Sequence, residues 1–335
     1  MTKIMIVGES WSEKDEEAKA PFQGTTGWML KSMLSQVGID IRDCYLTNVF
    51  NRRIGDVARV SGGKSEGITG YPPVAKGKYL LAREQKELDR LYSEIRTIRP
   101  NLILALGATA AWALTHSTGI RAIRGATLPT HPSLTSRLGR VFKVLPTYSP
   151  GAVSREYSLR PIVLSDFDKA KSESAHIHVT RPERHILIQP TLEEIKEFEH
   201  DYIEPARSLS ADIETHGNQI TCIGFASSIE RCIVIPFHSK SQPDGNYWRT
   251  LAEELLAWQY VRRWLATKPT TFQNGLYDIS FLWRSYGIPV LLAQEDTMLL
   301  HHAWQPEMEK GLGFLATLYT NEASWKFMRK GTRHD

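Results

Sequence analysis

A chain of 335 residues, 41% hydrophobic and 23% charged, exceeds what one hydrophobic core usually organises and points to two domains. The balance excludes wholesale disorder, and no uncharged apolar run is long enough to span a bilayer. Three scattered cysteines (Cys44, Cys222 and Cys232) exclude a disulfide framework and a zinc or iron–sulfur centre built from this chain's cysteines alone. The net charge of +4 conceals an asymmetry: residues 1–180 carry +8 and residues 181–335 carry −4. No acid lies between Glu94 and Glu156, where Arg121, Arg124 and Arg155 stand. Such a stretch is either a plain basic surface or a positive face for a polyanion, because phosphate neutralisation dominates nucleic-acid affinity.

The first half alternates strands and helices. Lys3–Val7 is a short apolar strand, Trp28–Val37 has helical spacing, and Asp43–Phe50 is a second strand. Arg52–Lys78 is rich in Gly, Pro and Lys, lacks periodicity, and reads as a long mobile loop. Its Gly63-Lys64-Ser65 is not a phosphate loop, since Ala58 stands where that pattern needs glycine. Arg83–Ile98 is an amphipathic helix, Asn101–Leu106 a strand, Ala108–Leu114 a helix, and Arg140–Leu145 another strand. Apolar strands separated by helices imply a parallel sheet covered on both faces, with ligands at the carboxyl ends of its strands.

Residues 173–184 read as a linker; His176 and His178 have strand spacing without a third metal ligand nearby. Beyond it come a strand (His185–Ile188), a helix opened by Thr191 and Glu194, and three antiparallel strands, Ser208–Glu214, Thr221–Ser227 and Arg231–Pro236. A helix (Trp248–Thr267), a strand (Thr270–Gln273) and helices from Asp278 and Asp296 follow, which suggests a mixed sheet.

In Leu209-Ser210-Ala211-Asp212-Ile213-Glu214-Thr215, period two puts Asp212 and Glu214 on one face of a strand. Paired acids there need a cation or hydrogen bonds, and Mg²⁺ or Mn²⁺ favours such oxygen ligands. Asn274-Gly275-Leu276-Tyr277-Asp278 supplies another acid where a strand turns into a helix. Together with Glu295-Asp296-Thr297-Met298-Leu299 and Gly311-Leu312-Gly313-Phe314-Leu315-Ala316, these residues resemble the 3′–5′ exonuclease domain of family-A DNA polymerases, a ribonuclease-H-like fold. The resemblance implies Asp212, Glu214 and Asp278 as metal ligands that activate water and stabilise the leaving 3′ oxygen. The family's third motif, a Tyr with an Asp four residues later, does not appear after Trp325-Lys326, so either Asp296 or Asp335 substitutes or the site is incomplete. A chain ending there looks like the front of a longer phage-type polymerase.

Gly8-Glu9-Ser10, Pro21-Phe22-Gln23-Gly24-Thr25-Thr26-Gly27, Leu46-Thr47-Asn48-Val49, Asn101 to Gly107, and Thr147-Tyr148-Ser149-Pro150 occur in the order and spacing of the uracil-DNA glycosylase superfamily. The resemblance covers about residues 3–172. It implies a base pocket in which Phe22 offers an aromatic face, Asn48 hydrogen bonds, and Gly24 close backbone approach. Glu9 stands at the acidic end of the family's first motif, but Ser149 replaces the histidine before proline in its last. A serine hydroxyl lacks the imidazolium-like stabilisation of a departing uracil anion, so excision should be weak or absent.

The expected architecture is therefore α/β. A three-layer parallel-sheet glycosylase-like domain (1–172) precedes a mixed-sheet ribonuclease-H-like domain (185–335). The expected partner is DNA, single-stranded or with an accessible 3′ end, in the cytoplasm of a bacterium or phage-infected host, with a polymerase as a further partner. The function is either a metal-dependent exonuclease with residual base excision or a non-catalytic module that holds DNA for a polymerase.

Overall fold

Continuous apolar runs become buried parallel strands, and alternating runs become half-covered ones. The computed structural model describes residues 3–324. They divide into one unit of residues 3–180 with 313–324, and a second of Arg181–Leu312. No helix among the described residues is long and apolar enough to cross a membrane.

The first unit runs β1 (Ile4–Ser10), α1 (Glu13–Ala18), α2 (Thr25–Gln36), β2 (Tyr45–Phe50), β3 (Ser61–Gly62), β4 (Tyr79–Leu80) and α3 (Gln85–Ile98). It continues with β5 (Leu102–Leu106), α4 (Ala108–Thr115), α5 (Ile120–Ile123), β6 (Leu128–Pro129), α6 (Thr135–Leu138), β7 (Lys143–Thr147), α7 (Pro150–Arg155) and α8 (Arg160–Glu173). The main sheet has the order β2-β1-β5-β7-β6, parallel except for β6 at its edge. Side-chain alternation splits each central strand between two cores. Met5, Val7, Ile103 and Ala105 join α3 and α4 on one face, while Ile4, Ile6, Leu102 and Leu104 join α2 and α8 on the other. Both faces are covered, which is the three-layer arrangement expected of apolar parallel strands.

The segment 52–78 is not a loose loop. It forms turns and strand β3, which pairs antiparallel with β4 just beyond it, and it buries Ile54, Val60, Ile68 and Val74 in the core on the α3 side. Tyr71 packs on Trp112 and His116, and Trp112 Nε1 donates to Pro72 O at 3.1 Å. Apolar residues at irregular spacing plug the core one at a time, so no period betrays them.

The second unit contains β8 (His185–Ile188), α9 (Leu192–Phe198), β9 (Leu209–His216), β10 (Gln219–Ala226), β11 (Arg231–Pro236), α10 (Leu251–Thr267), β12 (Thr270–Phe272), α11 (Gly275–Tyr286), β13 (Ala293–Asp296) and α12 (Thr297–Trp304). Its sheet is mixed, in the order β13-β12-β9-β10-β11-β8. The β9–β10–β11 meander is antiparallel, and β12, β13 and β8 add in parallel. Along β9, Leu209, Ala211 and Ile213 are buried and Ser210, Asp212 and Glu214 exposed, the alternation of a strand with one covered face.

Helix α13 (Leu312–Tyr319) falls with the first unit, not with the expected range 185–335. Arg124 is fully buried and forms a two-armed ion pair with Asp166, and its Nη1 donates to Thr317 Oγ1 at 3.0 Å. Lys169 Nζ donates to the carbonyls of Gly125, Thr317 and Thr320 at 3.0, 2.6 and 2.5 Å. Burial lowers the pKa of Lys169 to about 8. Gly125 has φ +71°, and a Cβ there would lie 2.5 Å from Thr317 O, so only glycine admits the helix this closely.

Candidate functional site

Strand register brings the first-half motifs together at the carboxyl end of the parallel sheet. Gly8 of β1 pairs with Asn48 of β2. A Cβ on Gly8 would collide with Asn48 Oδ1 and lie 2.8 Å from Phe22 Cζ, so the bare backbone of Gly8 leaves the space in which these two side chains meet. Phe22 is half-buried with φ +58°, a left-handed conformation uncommon outside glycine. The Asp15 carboxylate holds its loop by accepting from Gln23 N at 2.5 Å.

Asn48 is 1% exposed, and its Nδ2 has no hydrogen-bond partner. A buried amide donor without a partner costs about 1–3 kcal/mol, so it marks a place that a ligand acceptor would relieve. The backbone beneath is held firmly. Arg90 Nη2 donates to Asn48 O at 2.7 Å and to Val49 O at 2.9 Å, and Asn48 N donates to Asn51 Oδ1 at 3.2 Å.

Glu9 is exposed at the rim and accepts from the Thr109 hydroxyl in the first turn of α4. Ser149 lies near Gly107, whose added Cβ would be 3.8 Å from its Oγ. That Oγ already accepts from Ala152 N at 3.2 Å as the cap of α7, which leaves it one lone pair and its proton to offer. Gly24 does not face this space. It caps α2, and its nearest side-chain neighbour is Ser12. Thr109, Asn51 and Asp15 escape sequence reasoning; Thr109, two residues past the Gly107 that ends a strand, carried the one available signal.

Of the expected DNA-contacting arginines, Arg121 and Arg155 are exposed. Arg124 is not available to phosphate, because its guanidinium is spent on Asp166 and Thr317 inside the protein.

In the second unit Asp212 and Glu214 share the exposed face of β9, as period two requires. Asp278, on the first turn of α11, is buried, and its Oδ1 accepts from Ile213 N at 3.0 Å. Burial pushes its pKa up to about 6, against the lowering effect of that amide and helped by the charges of Asp212 and Asp296. The carboxylate of Asp296 is engaged by backbone amides. Its two oxygens accept from the amides of Asn274, Gly275, Met298 and Leu299 at 2.8–3.4 Å. Burial raises its pKa, but those four amides outweigh it and hold the carboxyl below its usual value. Asp335 lies outside the described residues. Among the described residues no three His, Cys, Asp or Glu side chains are grouped to hold a metal ion.

The first unit is thus a three-layer α/β fold with motif loops gathered at the carboxyl edge of a parallel sheet. Residues 1–172 match the uracil DNA glycosylase superfamily, and the chain belongs to that DNA-processing family. It is 33% identical over 175 residues to the type-4 uracil-DNA glycosylase of Thermotoga maritima, which spans 51% of this chain and 77% of that protein. It is also 23% identical over 332 residues to the DNA polymerase of Bacillus phage SP01, covering 89% of this chain and 32% of that protein. Among solved structures, the EXO domain of Aedes aegypti Nibbler matches at 14% identity and a TM-score of 0.33, over 47% of this chain and 80% of that one. The EXD2 exonuclease domain soaked in Mn and GMP matches at 16% identity and 0.27, over 41% and 70%.

Proposed function

We propose that this protein binds DNA in replication or repair and receives an everted pyrimidine, uracil foremost, in the first unit's pocket, with weak or no excision. The observation that carries the reading is the buried, unpartnered amide of Asn48, set against the floor of Gly8 and the ring of Phe22. Such a pocket suits a base taken out of the stack, read at its edge and stacked on an aromatic side chain. Hydrolysis would need donors for the departing base, and the hydroxyl of Ser149 is a neutral one. Loss of one preorganised stabiliser of developing charge typically costs roughly 10²–10³ in rate.

A second reading rests on different residues. Asp212 and Glu214 on the open face of β9, with Asp278 behind them, support a 3′–5′ exonuclease-like unit that uses Mg²⁺ or Mn²⁺ once its acids are gathered. The similarity that runs through both units to a phage DNA polymerase supports a role within such an enzyme, or beside one.

Labelled single strands carrying one uracil or one thymine test both. Wild type should release little uracil, and Ser149→His should release more. Phe22→Ala should weaken uracil-strand binding by about 1–3 kcal/mol, the worth of one stacked base. Equal affinity for uracil and thymine strands, untouched by Phe22→Ala, would refute the pocket. A 3′ end left intact with either metal would refute the exonuclease.

A further inference from the structure

We propose a phosphate-binding cleft on the first unit that grips the backbone of the DNA strand beside the base pocket. It rests on the DNA-binding reading above but not on the pocket's taste for uracil. The cleft, about 390 Å³ in volume, lies between the segment that follows β2 and the start of α3. Arg52, Arg53, Arg59, Arg83 and Lys86 line it, and Glu84 is the acid in its wall.

Glu84 is buried and already engaged, accepting from Arg52 Nη2 at 2.6 Å and lying 3.4 Å from Arg83 Nε. Arg53 sits 3.6 Å from Glu13, both of them exposed, where a pair is worth little. Arg59 and Lys86 are exposed and join no ion pair among the described residues. Pockets for small organic ligands are lined chiefly by apolar side chains, whereas this wall sets five cations against one acid. Like charges around one concavity repel each other and focus a field suited to an anion.

The position selects the anion. Trp11, just past the Glu9 motif, donates its amide to Arg52 O at 3.2 Å, and Asn51, the neighbour of Arg52, accepts from Asn48 N. The cleft therefore opens one residue beyond the support of the base-reading asparagine. A strand that delivers a base to Asn48 carries its adjoining phosphodiesters past these arginines.

The test is fluorescence anisotropy of a labelled thymine 20-mer, free of uracil, titrated with the full-length protein at several salt concentrations. Arg59→Gln with Lys86→Gln removes two exposed cations that hold no structural bond. Two lost phosphate contacts should flatten the slope of log affinity against log salt by about 1.4, at roughly 0.7 per contact on a single strand. Arg42→Gln with Lys31→Gln removes the same charge from outside the cleft and should leave the slope nearly unchanged. Equal slopes for wild type and the cleft variant, or equal flattening by both variants, would overturn the proposal. So would displacement of the strand by millimolar inorganic phosphate at constant ionic strength, which would make the cleft a small-anion site. Because the probe lacks uracil, a pocket that proves indifferent to uracil leaves this result standing.

Discussion

The two units differ in how they hold most of their buried charge. The first buries its cations in pairs, Arg124 with Asp166 and Lys143 with Glu173 at 2.8 Å, and among the described residues leaves only Asp15 to backbone amides. The second buries Asp278 against a backbone amide, under the like charges of Asp212 and Asp296. Paired charge fixes geometry, since both partners lose solvent and gain each other. A carboxyl held this way instead has its proton affinity raised and becomes responsive to its surroundings. The same contrast runs through the two sites. Parallel strands deliver Glu9, Asn48 and Ser149 to one edge by topology alone, whereas Asp212, Glu214 and Asp278 depend on a helix approaching a strand.

Breaking a pair should have the largest effect. Arg124→Ala leaves Asp166 charged, buried and short of its partner, which typically costs about 3–5 kcal/mol. It also removes a donor to Thr317, so α13 should lose protection together with β5 and β7. Hydrogen exchange resolves both losses peptide by peptide. A fall below about 1 kcal/mol would mean that packing, not the ion pair, holds this part of the first unit.

Asp278 offers the converse test. Its pKa in the folded protein is about 6 against an ordinary 3.8, so the native state binds the extra proton between those values. Stability from this group is therefore fullest below about pH 4 and is lost as pH rises through 6. Each pKa unit corresponds to about 1.4 kcal/mol, so the window is worth on the order of 2–3 kcal/mol. Asp278→Asn keeps an acceptor for the Ile213 amide and removes the titration. The wild-type minus variant difference in urea stability should slope downward from pH 4 to 7. A flat difference would show that the carboxyl is ionised as readily in the folded unit as outside it.

What the sequence made legible follows the same division. The apolar strands, the α/β order and the shared face of Asp212 and Glu214 are local properties, written in period and spacing. The Gly8–Asn48 meeting was half legible, because parallel sheets gather loops at one edge even when register is unknown. Arg124 was misjudged because its partner Asp166 lies 42 residues on, and an arginine in an acid-free stretch looks exposed until a distant carboxylate is folded onto it. The segment 52–78 was misjudged because Ile54, Val60, Ile68 and Val74 follow no helical or strand period. The engagement of Asp296 is not legible either, because the amides that occupy it come partly from Asn274 and Gly275, on a distant turn.

The smallest expected effect compares equivalent devices in the two units. Ser12 opens α1 and Thr250 opens α10, each with a capping box in which the side chain accepts from the third helical amide. Replacing either by Ala should cost about 1 kcal/mol, because one helix-end donor loses its acceptor. The consequences should then part. The Asp15 carboxylate in the first box also holds Gln23 N, and through it the left-handed turn at Phe22. The box of α10 holds its own helix: Glu253 returns to Thr250 N at 3.1 Å. Ser12→Ala should therefore weaken discrimination between uracil and thymine strands as well as stability, while Thr250→Ala should change stability alone. Binding preference measured beside melting temperature separates the two. If both variants left the preference intact, Asp15 would be holding the Phe22 loop without help from the cap that orients it.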